Sequence, residues 1–387
     1  MKELRRRFGR VEVPDEHEAR ERAWAVVAAA YAEREPVPRR RRRVAPVLAF
    51  AAVVAAAAVA AVLSPPGRAV LDSVRDRIAG VESAEPALFA LPGDGRLLVD
   101  SPRGPWIVGA DGSRRLLAGW TEASWSPFGR YVVAARRNEL AALDPDGTVR
   151  WSLARPDVRF PRWHGDAANT AVAFLTGSRL HVVAGDGTRD TDACGLHAAA
   201  RVAPAWRPGA RFVLAYVTTR GRVFVFDAAR CSLFYAERPV TSAPFRNPRL
   251  LLWSDDGERL LLVTDEQLVV FGTESARPLS VRTLRGVVDA AFEPGTHRVA
   301  LAREGEVLLL DLDVERGAPE TVFAGPGRFD GIAWAPDGSR LAVAWHDADQ
   351  WLFLGPDGEV EAAAGIRAQF GRFAQPAEWC CRASRSK

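Results

Sequence analysis

The chain has 387 residues, 48% of them hydrophobic and 26% charged, with 52 basic and 48 acidic side chains for a net charge of +4. That length and apolar share support a sizeable core in one large domain with appendages. The net positive charge does not mark a nucleic-acid binder: residues 1–43 alone hold 13 basic and 8 acidic side chains, which leaves the rest of the chain close to neutral. Lys occurs only at positions 2 and 387, so Arg carries nearly all the positive charge, a composition expected of a GC-rich bacterial genome.

Residues 1–36 open on Arg5, Arg6 and Arg7, and Asp15 and Glu16 precede an Ala-rich stretch with Trp24, Val26, Val27 and Tyr31. An acidic start, an Ala-rich middle and Pro36 beyond the end predict an amphipathic helix over 19–35. It reads as a juxtamembrane spacer or as a docking helix for a cytosolic partner such as a transcription regulator. Five Arg at 39–43 then form a basic collar ahead of residues 44–63, an uncharged run of 20 residues, half of them Ala. That length suits a transmembrane helix, and Arg retained on the cytoplasmic side puts the N-terminus inside and everything after Leu63 outside. A cleaved signal peptide is the competing reading, but its leader would be 43 residues long and its apolar segment longer than the usual ~7–15. Ser64-Pro65-Pro66-Gly67 stops the helix, and residues 68–86 carry Val70, Leu71, Val74 and Ile78 at helical spacing, an amphipathic stalk.

Beyond the stalk one unit recurs, clearest at Ile332-Ala333-Trp334-Ala335-Pro336-Asp337-Gly338-Ser339-Arg340-Leu341-Ala342-Val343. It reads as a strand ending in Trp, a Pro-Asp-Gly turn and a returning strand: Pro pre-sets φ, Asp bonds its own backbone and Gly accepts positive φ. Related units start at Trp125, Trp163, Trp206, Trp253 and Phe292, so that the six anchors stand 38, 43, 47, 39 and 42 residues apart. Periods near forty with about four short strands each are the mark of a β-propeller, whose blades cannot bury their faces alone. The hairpins resemble the repeats of TolB-type and WD-type propellers over roughly residues 87–381. Trp379, in a last strand before the chain ends, is read as completing a first blade that begins at the Gly93-Asp94-Gly95 hairpin. The expected fold is therefore all-β, a seven-bladed propeller with six or eight blades as alternatives, preceded by an N-terminal helix and one transmembrane helix. The domain plan is a cytoplasmic basic segment (1–43), a transmembrane helix (44–63), a stalk (64–86), the propeller (87–381) and a tail (382–387).

Chemistry-bearing motifs are sparse. Of four cysteines, Cys194 and Cys231 fall in the outer parts of consecutive repeats and are the preferred disulfide, whereas adjacent Cys380 and Cys381 would pair with each other only under strain. The six His are scattered, and His346-Asp347-Ala348-Asp349 reads as a solvated turn rather than half of a metal or acid/base site. No G-x-S-x-G elbow, Walker loop or EF-hand loop is present, so no catalytic, metal-ligating or cofactor-binding residue is expected. The anchors Trp125, Trp163, Trp206, Trp253, Phe292, Trp334 and Trp379 are read as structural. The expected protein is a single-pass plasma-membrane protein whose extracytoplasmic propeller is a non-catalytic platform for a protein, peptide or cell-envelope ligand. Two alternatives stand: a membrane-bound signalling regulator of anti-sigma-like layout with the propeller as sensor, and a hydrolase-like enzyme with its site in the propeller channel.

Overall fold

The computed structural model describes residues 90–166, 168–229, 232–233, 244–273, 278–314 and 317–381. The expected N-terminal helix, the apolar run 44–63, the stalk and Cys231 lie outside them. Among the described residues no helix is long and apolar enough to cross a membrane.

Short antiparallel strands dominate, and they pair in chain order. β1 (Arg96–Asp100), β2 (Trp106–Val108) and β3 (Arg114–Leu116) belong to a first sheet. β4 (Glu122–Trp125), β5 (Val132–Arg136), β6 (Glu139–Leu143) and β7 (Val149–Ala154) form a second, and β8 (Val158–Gly165), β9 (Thr170–Thr176), β10 (Arg179–Ala184) and β11 (Thr191–His197) a third. β12 (Ala205–Trp206), β13 (Val213–Val217), β14 (Val223–Asp227) and β15 (Ser232–Leu233) make the fourth; β16 (Pro248–Trp253), β17 (Leu260–Thr264), β18 (Gln267–Phe271) and β19 (Pro278–Thr283) make the fifth. The sixth holds β20 (Val287–Phe292), β21 (Arg298–Asp311), β22 (Glu320–Trp334), β23 (Leu341–Trp345), β24 (Gln350–Leu354) and β25 (Val360–Ala364). A short helix α1 (Ile366–Phe370) follows, and β26 (Gln375–Cys380) returns to β1, with Trp379 opposite Leu97.

The propeller thus has six blades, not the seven expected. Two repeats, anchored at Phe292 and Trp334, share one sheet because β21 and β22 run for 14 and 15 residues without a break. β22 pairs with β21 through Glu320–Arg328 and with β23 through Phe329–Trp334, accommodated by register shifts, so no loop separates the two repeats. Counting anchors could not reveal this, since both anchors are present.

Neighbouring sheets touch through their first strands, and β22 and β23 meet β26, which closes the ring. Middle strands such as β5, β13, β17 and β23 are buried on both faces, because each sheet is covered by its two neighbours. Outer strands β7 and β19 alternate exposed and half-buried residues, as an edge facing solvent does. Trp351 has no exposed surface; its Nε1 donates to the Ala374 carbonyl (2.7 Å), and truncating such a ring costs about 3–5 kcal/mol. At the closing seam Gly95 holds φ 102°, and a Cβ there would collide with the Cys380 carbonyl, so both conformation and space require Gly.

Candidate functional site

Each sheet presents two ends. One, the turn face, carries the tight turns that follow the anchors. There Asp337 accepts from Ser339 N–H (3.0 Å) and Oγ–H (2.6 Å), and Asp111 and Asp186 bond their turns the same way. The other, the loop face, carries the connections that lead into the first strand of each sheet.

The anchors sit at or near the turn-face end of their strands, and several of their indoles bond a carbonyl on a neighbouring strand or turn. Trp206 Nε1 donates to the Arg162 carbonyl (2.9 Å), Trp334 to Ala291 (3.3 Å) and Trp379 to Asp94 (3.0 Å). The indole N–H groups of Trp125, Trp163 and Trp253 are buried without a hydrogen-bond partner among the described residues. Arg96 lies 4.7 Å over Trp125, Arg207 5.5 Å over Trp253, and Tyr131 stacks on Trp163 at 6.2 Å. Phe292, with no polar atom, packs against the apolar cluster between the fifth and sixth sheets.

Carboxylates on the same strands also reach neighbouring strands. Glu378 on β26 accepts the Trp125 N–H (2.8 Å) and the Ser124 hydroxyl (3.2 Å); Glu122 on β4 accepts the Phe160 N–H (2.5 Å). Asp289 on β20 accepts the Ile332 N–H (2.9 Å) across to β22. Charge-assisted bonds of this kind are stronger than neutral ones, and each fixes one first strand against the next. Burial raises Glu122, while the Phe160 N–H and Arg162 pull it down. Burial also lifts Asp289 to about 6 against its backbone N–H bonds, with Asp330 adding to the rise.

These strands open at the loop face into a polar cavity of about 710 Å3, in the size range of ligand pockets. Asp100, at the end of β1, lines it, and its carboxyl is pushed up to about 7. Desolvation within the ring is the main cause, although part of the Asp100 side chain still faces solvent in the cavity; Arg162 opposes the rise, and Glu378, Glu122 and Asp289 reinforce it. Asp330 is 4% exposed and pairs with Arg328 at 2.8 Å, while its Oδ1 has no partner among the described residues. Burial raises Asp330 too, and Arg328 opposes the rise. On the other side α1 positions Arg367, which donates to the His346 carbonyl (2.9 Å) and lies 5.3 Å over Phe373. His346 packs on Phe373 at 4.3 Å, and exposed Arg372 completes the rim. The cavity can offer fixed carboxylates on one side and guanidinium groups on the other to a polar ligand.

Sequence reading missed this mouth. His346-Asp347-Ala348-Asp349 is a turn with Asp347 exposed, and it borders the cavity: His346 lines it, Asp347 accepts the Arg328 N–H (2.7 Å), and Asp349 accepts the Arg367 N–H (2.9 Å). The available signal was an acidic residue one to four positions ahead of an anchor, as at Glu378, Glu122, Asp289 and Asp330. A charge in an otherwise buried strand is the informative kind of exception.

Two further clusters lie elsewhere. Among the described residues, one group of three potential metal ligands falls within 4.8 Å, Asp256, Glu258 and His297. Both nitrogens of His297 are already engaged, at 2.7 Å from Asp256 and 2.7 Å from Asp313, so the ring clamps the fifth sheet to the sixth. Burial alone would lower its pKa; the bonds to Asp313 and Asp256 outweigh that and raise it. Cys380 and Cys381 are bonded to each other, contrary to the expectation from their adjacency, and they pack on the Ser126-Pro127 turn. Cys194 is disulfide-bonded, and Cys231, its expected partner, lies outside the described residues.

No family model matches the sequence, and no curated protein does. Solved structures match its fold. The C-terminal WD40 domain of Sif2 aligns over 76% of this chain and 84% of its own, with a TM-score of 0.50 and 14% identity. The β-propeller domain of Cps50 (Swd1) from Myceliophteria thermophila aligns over 63% and 85% respectively (TM-score 0.49, 10% identity). Hydrazine synthase of Kuenenia stuttgartiensis aligns over 62% and 77% (TM-score 0.48, 16% identity). With its ring of antiparallel sheets, the chain has a WD40-like β-propeller fold. Identity this low carries the fold and says nothing of activity.

Proposed function

We propose that this is a TolB-like bacterial protein anchored in the plasma membrane by residues 44–63, with its N-terminus cytoplasmic and its propeller outside. The propeller is a non-catalytic platform that binds a protein, peptide or cell-envelope ligand at the loop-face mouth. β-Propellers are commonly protein-interaction scaffolds, and recognition usually resides on loops held by a stiff frame. The observation that carries this reading is the mouth itself, in which Asp100, Asp330, Arg328, Arg367 and Arg372 line one cavity. Substituting the exposed Arg372 by Glu should abolish partner recovery after cross-linking in intact cells while leaving thermal unfolding unchanged. Undiminished recovery would refute the assignment of the mouth. The location is tested by labelling a cysteine placed at Arg372 with an impermeant reagent, in whole cells and after lysis. Labelling only after lysis would refute it.

A second reading, an enzyme acting in the channel, is favoured by the position of Asp100 in the cavity wall near Glu378, Glu122 and Asp289, where its carboxyl is pushed up to about 7. Hydrolase activity-based probes that label the protein, with labelling lost in Asp100→Asn, would establish it over the platform.

A further inference from the structure

The turn face carries an apolar groove of about 620 Å3 between the second and third sheets, separate from the mouth. Phe128, Tyr131, Trp151 and Trp163 line it, and Phe128 is 61% exposed although it follows Pro127 in a well-formed turn. Asp166 and Asp186, both exposed, stand at its third-sheet rim, and Arg130 and Arg150, also exposed, at its second-sheet rim, where Arg150 pairs with Asp144. Each accepts N–H bonds from its own turn, which keeps both carboxylates below their ordinary pKa and ionised at neutral pH. An exposed aromatic surface bordered by carboxylates on one side suits an amphipathic segment that presents positive charge to that side.

The chain contains such a segment, and it leads to this face. The described residues begin at Ala90, and the Leu91 N–H bonds the Ala110 carbonyl in a turn-face loop of the first sheet. The adjacent Ser126–Gly129 turn, which borders the groove, packs against Cys380 and Cys381 of that same sheet. In residues 68–86, Val70, Leu71, Val74 and Ile78 form one stripe at 100° per residue. Arg75 and Arg77 flank it on its two sides, while Asp72 and Asp76 fall opposite. The twelve residues from Ile78 to Ala90 can span up to about 40 Å, ample for a groove one blade away. The other segments fit worse: residues 382–387 have no large apolar side chain, and residues 44–63 have no charge to meet the rim.

We propose that residues 68–79 dock as a helix in this groove, with Val70, Leu71, Val74 and Ile78 on the aromatic floor and the flanking guanidinium on the third-sheet side against Asp166 and Asp186. The stalk is then a fixed strut rather than a loose tether. The docking itself depends neither on the anchor nor on the mouth.

The test replaces Phe128 with photoreactive p-benzoyl-phenylalanine in the full chain, reconstituted in phosphatidylcholine–phosphatidylglycerol vesicles. The expected adduct joins position 128 to residues 68–79 of the same molecule, in a yield independent of protein concentration. The pair Val74→Asp and Ile78→Asp should lower that yield at least tenfold, and Arg75→Glu with Arg77→Glu several-fold. Both pairs lie outside the propeller, so circular dichroism and thermal unfolding of the ring should not change. Adducts to lipid, adducts joining two copies, or a yield indifferent to the Asp substitutions would overturn the proposal.

Discussion

The turn face and the loop face of this ring are built from the same strands but by different means. On the turn face an aromatic anchor and an Asp-Gly turn recur with little change, and each Asp satisfies its own turn locally. On the loop face nothing recurs: α1, the Asp100–Gly104 turn and the His346–Asp349 turn each contribute different side chains to one mouth. The repeated face holds the blades together, and the irregular face carries the charges that a partner could recognise. Carboxylates that begin near the loop face and bond forward across the seams link the two.

If that division is right, damage near the turn face should cost folding, and damage at the mouth should leave the fold largely intact. The largest effect is expected at the closing seam. Trp379→Ala removes a ring that is 8% exposed and bonded to the Asp94 carbonyl, and should cost about 3–5 kcal/mol in chemical denaturation. Glu378→Ala should come next, since it leaves the N–H of the buried Trp125 without its acceptor; about 1–3 kcal/mol is expected from the same measurement.

Asp100→Asn should act in the other direction. A carboxyl raised from 3.8 to about 7 favours the folded protein fully below pH 3.8, and that contribution fades as pH climbs through 7. At pH 8 the Asn variant should therefore be the more stable by about 1 kcal/mol, a figure discounted for screening by channel water. The gap should shrink toward pH 4. His297→Ala sharpens the contrast with a group of opposite sign. Its pKa is raised, so its clamp contributes fully below pH 6.5 and is lost as pH rises through the higher folded value. A loss of about 0.5–1 kcal/mol at pH 6, vanishing in alkaline titration, is expected for so small a surface ion pair.

How much of this was legible follows the same division. The anchors and turns could be read because Trp, Pro, Asp and Gly each have a local reason to stand where they do, and β26 pairing with β1 completes a blade that lacked a first strand. The number of blades could not be read, since the merger of two repeats depends on β21 and β22 continuing through Gly305 and Gly325, residues that ordinarily suggest turns. The mouth was invisible for a related reason. Asp100 and Asp330 are 230 positions apart and ordinary in isolation, and only ring closure puts both in the wall of one cavity. The His346–Asp349 stretch could be read as a turn, but its ties to Arg328 on β22 and Arg367 on the short helix could not, since neither is near it in sequence.

The central claim, that recognition belongs to the loop face, is tested most directly by paired photocross-linking in the native cell envelope. One form of the full chain carries p-benzoyl-phenylalanine at Arg372 and the other carries it at Phe128, both exposed positions. The account predicts an adduct with a second macromolecule at position 372, lost when Arg328 is changed to Glu, and only an internal adduct at position 128. A partner captured at position 128 with none at 372 would contradict it.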